Sequence, residues 1–299
     1  MVEISASMVK ELRDKSGAAM MDCKKALVEA GGDSEKAFEL LRQKGVAVAS
    51  KKSGRAASEG LVVGQVTADG KTGAIVEINC ETDFVARNDQ FIDLTKQIVE
   101  LVLKHKPADV ETFLTQDANG KPVKDLVTEA VAKIGENIMI RRLAVFEAQG
   151  EGVVGLYIHS LGGKMGALLE LSSAKSADRE KLNAIAREVA MHVVSAKPQY
   201  ITKAEIPAEI VENERRIESG KADLAEKKPE MRDKIVTGRV DKILNERSLQ
   251  EQVFVKDPNN TVGKYLQTKG IELGTELKPV RFALFILGEL AAEQSGNEE

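Results

Sequence analysis

The sequence has few aromatic residues: tryptophan is absent, and Phe, Trp and Tyr together make up 4% of the chain. Proteins that bind single-stranded nucleic acid commonly stack its bases on aromatic side chains, so a surface of that kind is not expected. The formal net charge of −4 also provides no general attraction for nucleic acid or for an anionic membrane. The composition therefore predicts neither nucleic acid nor membrane as a direct partner.

Cysteine and histidine are also scarce. The two cysteines, Cys23 and Cys80, are too few for a disulfide framework and are interpreted as reduced thiols of a cytosolic protein. None of the three histidines, His105, His159 and His192, lies at metal-ligand spacing from either cysteine, so no zinc site is expected. The sequence also lacks a Walker A loop and a dinucleotide-binding fingerprint. We therefore predict no metal, no cofactor and no enzymatic activity.

Long hydrophobic runs are missing as well, since no apolar stretch approaches the roughly 20 residues that cross a bilayer. The first residues, Met-Val-Glu-Ile-Ser-Ala, contain neither the basic nor the apolar region of a signal peptide. What is present, 30% charged and 42% hydrophobic residues in a chain of 299, is typical of a soluble protein with two or three domains. We expect a cytoplasmic protein.

Residues 1–45 predict a compact bundle of three short helices, which resembles the ubiquitin-associated type. Gly17 is expected to end the first helix, Asp33 to cap the third, and Gly45 to end it. Residues 46–59 follow as a basic linker that is helical in part.

A bundle this small has little apolar surface to spare, so its exposed apolar residues indicate a docking face. Val9, Met20 and Met21 are the candidates, and methionine adapts well to interfaces. The alternative is that the methionines belong to the core of the bundle.

The middle and end of the chain contain an internal repeat. The matching pairs are Glu59-Gly60-Leu61-Val62-Val63-Gly64 with Glu151-Gly152-Val153-Val154-Gly155, and Gly73-Ala74-Ile75-Val76-Glu77-Ile78 with Gly166-Ala167-Leu168-Leu169-Glu170-Leu171. Each copy predicts a β-hairpin, a helix and a returning strand, and hence a small antiparallel sheet with helices on one face. The copies span residues 60–149 and residues 150–205 with 248–288. The predicted fold class is α+β.

The first copy carries an unusual connection, residues 79–88, between its second strand and its helix. Phe84 stands there among Glu81, Asp83 and Arg87, although such loops are normally short and polar. A rigidly mounted apolar residue with charged neighbours is suited to enter a pocket of another protein. The alternative is that Phe84 folds back onto its own core.

The second copy carries an insertion, residues 206–247, which predicts a helical hairpin of the antiparallel coiled-coil type. Such a projection commonly contacts another protein or a second copy of itself. The alternative is a hairpin packed on its own domain. The acidic residues 289–299 are expected to form a disordered tail.

Several of these stretches resemble bacterial translation elongation factor Ts. The segments that carry the resemblance are Met20-Met21-Asp22-Cys23-Lys24-Lys25-Ala26-Leu27, Glu77-Ile78-Asn79-Cys80-Glu81-Thr82-Asp83-Phe84-Val85-Ala86, Ile134-Gly135-Glu136-Asn137, Ala190-Met191-His192-Val193 and Gln252-Val253-Phe254-Val255-Lys256-Asp257-Pro258. They occur in the family's order and cover nearly the whole chain.

The resemblance implies a guanine nucleotide exchange factor that binds elongation factor Tu with GDP and promotes GDP release during translation elongation. It places an intruding loop at Thr82, Asp83, Phe84 and Val85, directed at the Mg²⁺ and phosphate site of the GTPase. It places partner-binding residues at Val9, Leu12, Arg13, Met20, Met21, Lys24 and His159. In some members the inserted hairpin forms a homodimer. From the residues alone, His159 is either a contact residue or an ordinary surface histidine.

Two other functions remain open. A stable adaptor would bind a partner through the bundle and the repeats without promoting nucleotide release. A ubiquitin-type binder would use the bundle alone, which leaves the repeats without a role.

Overall fold

The computed structural model describes residues 4–16, 18, 20–160 and 162–289. Its first three helices are α1 (Ala6–Ser16), α2 (Met20–Glu29) and α3 (Ser34–Lys52). The Asp33 side chain accepts hydrogen bonds from the backbone N–H groups of Glu35 and Lys36, so it caps α3 as predicted. Gly17, predicted to end the first helix, lies outside the described residues.

The prediction that α3 ends at Gly45 is wrong, because the helix runs on to Lys52. A glycine inside a helix costs about 1 kcal/mol relative to alanine and does not by itself end it. The missing side chain brings α3 close to a later helix, since a Cβ atom at Gly45 would lie 3.2 Å from Cβ of Ala132. The first part of the predicted linker, residues 46–59, thus continues α3.

The first repeat forms a three-stranded antiparallel sheet in the order β1-β2-β3. Its elements are β1 (Glu59–Val66), β2 (Thr72–Cys80), α4 (Asp83–Ala86), α5 (Asp89–His105), α6 (Val110–Thr115), α7 (Val123–Ile134) and β3 (Met139–Glu147). The sequence pattern predicts the three strands and α5 but not α6 and α7.

The second repeat forms the equivalent antiparallel sheet, in the order β4-β5-β8. Its elements are β4 (Val153–Ile158), β5 (Met165–Ser173), α8 (Arg179–Ala196), α9 (Ala208–Ser219), α10 (Pro229–Arg247), β6 (Val253–Phe254), β7 (Asp257–Thr261), α11 (Val262–Leu273) and β8 (Leu277–Ile286). Strands β6 and β7 form a separate two-stranded sheet.

The two repeats match in their irregular details. Each central strand has a shift of pairing register at the same place, after Glu77 in β2 and after Glu170 in β5. Helices α5 and α8 each end at a lysine in the left-handed conformation, with φ of +49° at Lys106 and +48° at Lys197. Both lysines precede a proline, which cannot continue a helix.

Helices α9 and α10 form the hairpin inserted in the second repeat. Val236 and Val240 of α10 are buried in the small core between the two arms. Pro229 begins α10, where its missing N–H removes no helical hydrogen bond. At the base of the hairpin, the carbonyl oxygen of Arg247 accepts a hydrogen bond of 2.9 Å from the backbone N–H of Gln199. This bond ties the hairpin to the end of α8.

The sheets of the two repeats pack face to face. Val76 and Ile78 of β2 face the core shared with α5, whereas Ile75 packs with Leu168 of β5 between the sheets. All nine residues of β2 are buried, because helices cover one face of the strand and the second sheet covers the other. Each sheet thus has its helices on one face only.

Two ion pairs occupy equivalent positions between the sheets. Arg142 Nε lies 2.7 Å from Oε2 of Glu77, and Arg281 Nε lies 2.7 Å from Oε2 of Glu170. Both glutamates are buried, and each pairs with an arginine on the neighbouring strand of its own sheet. Burying a carboxylate without a partner costs free energy, and in each pair the arginine offsets part of that cost.

Each of these arginines also contacts the opposite repeat. The guanidinium of Arg142 lies 4.4 Å from the ring centroid of Phe285, and that of Arg281 lies 4.3 Å from the ring centroid of Phe146. The two contacts are reciprocal, as they are across the twofold axis of a homodimer. The two repeats therefore pack like the subunits of a dimer joined in one chain.

The predicted fold class, α+β with small antiparallel sheets, is confirmed by these elements. The ubiquitin-associated character of the bundle, the domain boundaries and the coiled-coil character of the hairpin stay predictions. Of the predicted tail, residues 290–299 lie outside the described residues. Among the residues that are described, no helix has the length and apolar character needed to cross a bilayer.

Candidate partner-binding site

The segment after β2 is folded rather than irregular. Its central residues form α4, a single helical turn, and the Thr82 side chain caps this turn by accepting a hydrogen bond of 3.3 Å from the backbone N–H of Val85. Asn88 then caps α5 by accepting a bond of 2.8 Å from the N–H of Gln90. The two consecutive caps fix where the chain turns between β2 and α5.

Phe84 projects from α4 into solvent, with 82% of its surface exposed. The neighbouring residues do the opposite: Val85 packs against the core of the first repeat, and Ala86 is buried. The alternative that Phe84 folds back onto its own core is therefore excluded. A large apolar side chain stands exposed on a turn that its neighbours anchor.

Asp83 is the other outward-facing residue of this segment. Its carboxylate lies 3.1 Å from the guanidinium of Arg87, one turn along the chain. The Arg87 side chain is 81% exposed and the Asp83 side chain 44% exposed, and such a pair adds only about 0.3–0.5 kcal/mol. The carboxylate therefore remains available to a partner at little cost.

Cys80, at the end of β2, is not a reactive group. Burial, together with the nearby carboxylate of Glu136, raises the pKa of its thiol to about 12. The thiol donates a hydrogen bond of 3.2 Å to the carbonyl oxygen of Thr82. Cys80 thus supports the turn and stays a neutral thiol at physiological pH.

His159 follows β4 and is half-buried. Its Nδ1 lies 3.2 Å from the hydroxyl of Tyr157, and its backbone N–H donates to the carbonyl oxygen of Met165 at 2.9 Å. The connection from β4 to β5 also contacts the first repeat, because the carbonyl oxygen of Gly163 accepts a bond of 2.7 Å from the N–H of Val62 in β1. The position of His159 is therefore fixed relative to β1.

Strand β1 brings the His159 turn and α4 to the same end of the molecule. Glu59, its first residue, pairs with Cys80, directly before the α4 segment. Lys164, in the β4–β5 connection, lies 3.0 Å from the Glu59 carboxylate. Val62 is three residues further along β1, which corresponds to roughly 10 Å of strand. The structure thus places His159 and Phe84 close enough for one partner to contact both.

Four of the predicted docking residues of the bundle are exposed: Arg13, Met20, Met21 and Lys24. The alternative that the methionines belong to the core is excluded, since Met20 is 44% exposed and Met21 is 63% exposed. A partner can therefore reach these side chains without any change in the bundle.

Val9 and Leu12 lie elsewhere than expected. The prediction that Val9 is exposed is wrong: it is 5% exposed, Leu12 is 0% exposed, and both belong to the core of the bundle. The reason is that α1 turns the face that carries them toward α2 and α3. Neither side chain offers a surface to a partner, so their contribution is to hold the bundle together.

Val28 is an exposed apolar residue of the bundle that the sequence analysis missed. It is 62% exposed, and it follows Met21 and Lys24 on α2 at the spacing that places residues on one helical face. That spacing is visible in the sequence and could have identified it. Val28 extends the candidate docking face by one turn.

The docking face and α4 lie apart. The bundle packs against Ala37, Phe38 and Leu41 in the first half of α3, whereas the residues next to α4 follow the end of that helix. At 1.5 Å per residue, the distance along α3 is roughly 20 Å. A partner that contacts both must therefore be at least the size of a small domain.

A metal centre is not part of this arrangement. The described ranges contain no group of three or more His, Cys, Asp or Glu side chains placed to hold a metal ion. What the site offers instead is an exposed aromatic ring, a partly exposed carboxylate and a separate apolar face.

Comparison with known proteins identifies the family. A family model described as Elongation factor TS matches residues 81–289. The chain is 45% identical over 291 residues to an elongation factor Ts of Trichlorobacter lovleyi, covering 96% of this chain and 93% of that protein. It is 44% identical to those of Syntrophotalea carbinolica and Symbiobacterium thermophilum, covering 96% and 97% of this chain and 94% and 93% of those proteins.

The chain belongs to the elongation factor Ts family. The resemblance inferred from the sequence motifs is thereby confirmed, and with it the expectation of an elongation factor that acts in protein biosynthesis. The match of the family model begins at Glu81, so it includes Phe84 and the whole of α4.

Proposed function

We propose that this protein is a guanine nucleotide exchange factor, which binds elongation factor Tu with GDP and promotes GDP release by disturbing the Mg²⁺ and phosphate site of that GTPase. It acts in translation elongation, in the cytoplasm. The observation that carries the proposal is the exposure of Phe84 on an anchored turn, next to the carboxylate of Asp83.

The chemistry of the site supports this role. GDP is held in such GTPases by backbone N–H groups and by Mg²⁺, which neutralises its phosphates. A wedge formed by an aromatic ring and a carboxylate favours a conformation in which the metal site is distorted. An exchange protein that binds this distorted conformation more tightly weakens the binding of GDP to the GTPase. The coupling is reciprocal, so GDP weakens the binding of the exchange protein to the same extent.

The magnitudes require more than one contact. Weakening nucleotide binding by roughly 10⁴-fold takes about 5.5 kcal/mol of differential affinity. Burying one phenylalanine side chain contributes about 1.5–3 kcal/mol. Phe84 alone is therefore insufficient, and the docking face at Arg13, Met20, Met21 and Lys24, together with His159, supplies the remaining binding energy.

The direct test is stopped-flow release of fluorescent GDP from elongation factor Tu in the presence of a sub-stoichiometric amount of this protein. We expect catalytic acceleration, with each molecule of the factor acting on many molecules of the GTPase. Phe84→Ala is expected to slow the maximal release rate about 10- to 100-fold, in line with the burial of one ring.

A matched control is Ile271→Ala, because Ile271 is 76% exposed and lies on α11, in the second repeat. This variant should release GDP at the wild-type rate. Tight stoichiometric binding without acceleration would instead support the adaptor function. Equal release by wild-type protein and Phe84→Ala would show that the loop is not the active element.

The inserted hairpin is proposed as a homodimerisation element. Ile217, near the end of α9, and Met231, near the start of α10, are 49% and 53% exposed and mark the tip of the hairpin as apolar. Light scattering during size-exclusion chromatography should detect a dimer that Met231→Glu converts to a monomer. A wild-type monomer at high concentration would contradict this part of the proposal.

A further inference from the structure

Three hydrogen-bond donors of the segment that leads into α4 converge on one carboxylate. Glu136, half-buried between α7 and β3, accepts through Oε2 from the backbone N–H groups of Glu81 at 3.1 Å and Thr82 at 3.0 Å. Its Oε1 accepts from the hydroxyl of Thr82 at 2.6 Å. That hydroxyl is also the cap of α4, so Glu136 holds the residue that starts the turn.

The segment that leads into α4 also accepts a hydrogen bond from the turn that carries Glu136. Oε1 of Glu81 accepts a hydrogen bond of 2.7 Å from the backbone N–H of Asn137. Asn137 is buried, and its side-chain amide donates to the carbonyl oxygen of Arg55, just beyond α3, at 2.8 Å. Gly135 precedes these residues in the left-handed conformation that ends α7. The turn that carries Glu136 is therefore fixed independently of α4.

Helix α4 needs such support. It has four residues, and a helix of one turn is unstable by itself because nucleation is costly. Val85 and Ala86 hold the end of the turn against the core, but the exposed Phe84 adds no core contact, so the start of the turn depends on Thr82. Hydrogen bonds with an ionised acceptor are stronger than neutral ones, so the carboxylate of Glu136 is well suited to fix Thr82.

The second repeat has a weaker brace at the same place. Gly274 ends α11 in the left-handed conformation, and Thr275 follows it where Glu136 follows Gly135. The Thr275 hydroxyl accepts a bond of 2.9 Å from the N–H of Lys175, which occupies the position of Thr82. The Thr275 hydroxyl also lies 3.0 Å from the Ser173 hydroxyl, and the N–H of Ala174 donates to the carbonyl oxygen of Glu276 at 3.0 Å. The second repeat thus uses neutral acceptors only, whereas the first uses a carboxylate where an exposed aromatic residue follows.

We propose that Glu136 is a positioning residue, which holds Thr82 and α4 so that Phe84 is presented in a fixed orientation before the partner binds. The positioning role rests on the proposed exchange function only where the test measures GDP release. Pre-organisation removes the entropic cost of ordering the turn at the moment it enters the partner. Glu136 acts through the turn and does not itself contact the nucleotide site.

The test compares Glu136→Ala and Glu136→Gln. The alanine variant loses all three acceptor contacts, and its maximal GDP release rate should fall at least about tenfold, since even one charge-assisted hydrogen bond is worth that factor. Its half-saturating concentration should stay within about twofold of wild type, because docking is unaffected. Glutamine keeps one oxygen for the two N–H groups and should remain within about threefold of the wild-type rate. Thr275→Ala, the matched change in the second repeat, should leave release unchanged.

A merely structural role predicts a different pattern. If Glu136→Ala only reduced the folded fraction, the half-saturating concentration would rise while the maximal rate stayed the same. In a Phe84→Ala background, Glu136→Ala should add less than about twofold, since both residues act through one turn. Independent, additive losses in the double variant would overturn the proposal.

Amide hydrogen exchange of the free protein tests the positioning without any partner. In Glu136→Ala the N–H groups of Glu81 and Thr82 should exchange about tenfold faster, while the N–H of Lys175 should exchange at its wild-type rate. If the wild-type protein does not accelerate GDP release, the exchange function fails, and these amides still decide whether Glu136 holds the turn. Unchanged exchange at Glu81 and Thr82 would overturn the positioning role.

Discussion

The two repeats connect the central strand to the next helix by segments of different length. In the first repeat, the seven residues 81–87 lie between the end of β2 and the cap at Asn88. In the second, the four residues 174–177 lie between the end of β5 and the cap at Asp178. The longer segment contains α4 and the exposed Phe84, whereas the shorter one forms no helix.

The difference separates what the fold needs from what has been added to it. The second repeat shows that four residues are enough to join strand and helix, so α4 is not required for the sheet to form. A scaffold that is already complete can hold an exposed aromatic residue without losing its core. The longer segment is also the one that is held by a carboxylate, since Glu136 stands where the second repeat has the neutral Thr275.

The largest expected effect concerns the two buried ion pairs. Their Nε–Oε2 distances are equal, but the Arg281 side chain is more exposed than that of Arg142. Arg142→Ala leaves the buried carboxylate of Glu77 without its cation and should lower the free energy of unfolding by about 3–5 kcal/mol. Arg281→Ala should cost less, about 1–3 kcal/mol: the Glu170 carboxylate is also buried, but 50% of the Arg281 side chain is exposed, so water can reach the carboxylate once the arginine is removed. Urea denaturation measures both, and equal losses would show that the repeats are energetically equivalent.

The next effect tests the added segment directly. Replacing residues 81–87 with Ala-Lys-Ser-Ala, the residues 174–177 of the second repeat, should give a folded protein that has lost its ability to accelerate GDP release. The loss should reach at least about 100-fold, which corresponds to about 2.8 kcal/mol, since Phe84 and Asp83 are removed together. Stopped-flow release and circular dichroism are measured on the same sample, and full activity in a folded graft would contradict the assignment.

A third difference between the repeats is His192, which lies five residues before Lys197, where the first repeat has Leu101 before Lys106. The backbone N–H of Val255 donates to its Nδ1 at 3.2 Å, so the proton is on Nε2, which donates to Oε1 of Gln252 at 2.9 Å. Burial lowers the pKa of His192 below its ordinary value of 6.5, and the folded state therefore favours the neutral ring.

The stability that depends on His192 is fully present above pH 6.5 and decreases as the pH falls below that value, because the unfolded chain takes up the proton first. The slope cannot exceed about 1.4 kcal/mol per pH unit, since one proton is involved. His192→Gln should flatten the dependence of the unfolding free energy on pH between about 5 and 7. An unchanged slope in this variant would assign the pH dependence to other groups.

The smallest effect concerns the helix caps, where the repeats should agree. The side chain of Asn88 accepts from the N–H of Gln90 at 2.8 Å, and that of Asp178 from the N–H of Lys181 at 3.1 Å. Asn88→Ala and Asp178→Ala should each lower the unfolding free energy by about 1 kcal/mol. A much larger loss at Asn88 would show that the cap also holds α4, and that the two connections differ beyond their length.

Much of the fold could be predicted because its signals are local. The repeated strands were visible as alternating or continuous apolar runs bounded by glycine, and Asp33 was recognisable as a cap. The end of α3 was not predictable, since the glycine that suggests a stop is the residue that lets α3 pack against Ala132. A local stop signal was outweighed by a contact that is distant in sequence.

The candidate site was predictable to a similar extent. The position of Phe84 in the connection, and its absence from the second repeat, can be seen in the sequence. The role of Val9 could not be predicted, because an apolar residue on a short helix can belong either to the core of the bundle or to an exposed docking face. Glu136 was also missed as a functional residue, since it is about 50 positions from the segment that it holds.

By itself, the sequence determined the family, the duplication, and the addition of a Thr-Asp-Phe segment to one copy, because each of these is a matter of residue order. Only the tertiary structure decided that Phe84 is exposed, that the two sheets pack with reciprocal arginine contacts, and that Glu136 braces the turn. The physical reason is that burial and hydrogen bonding depend on which distant segments are brought together, and a pattern of neighbouring residues does not contain that information.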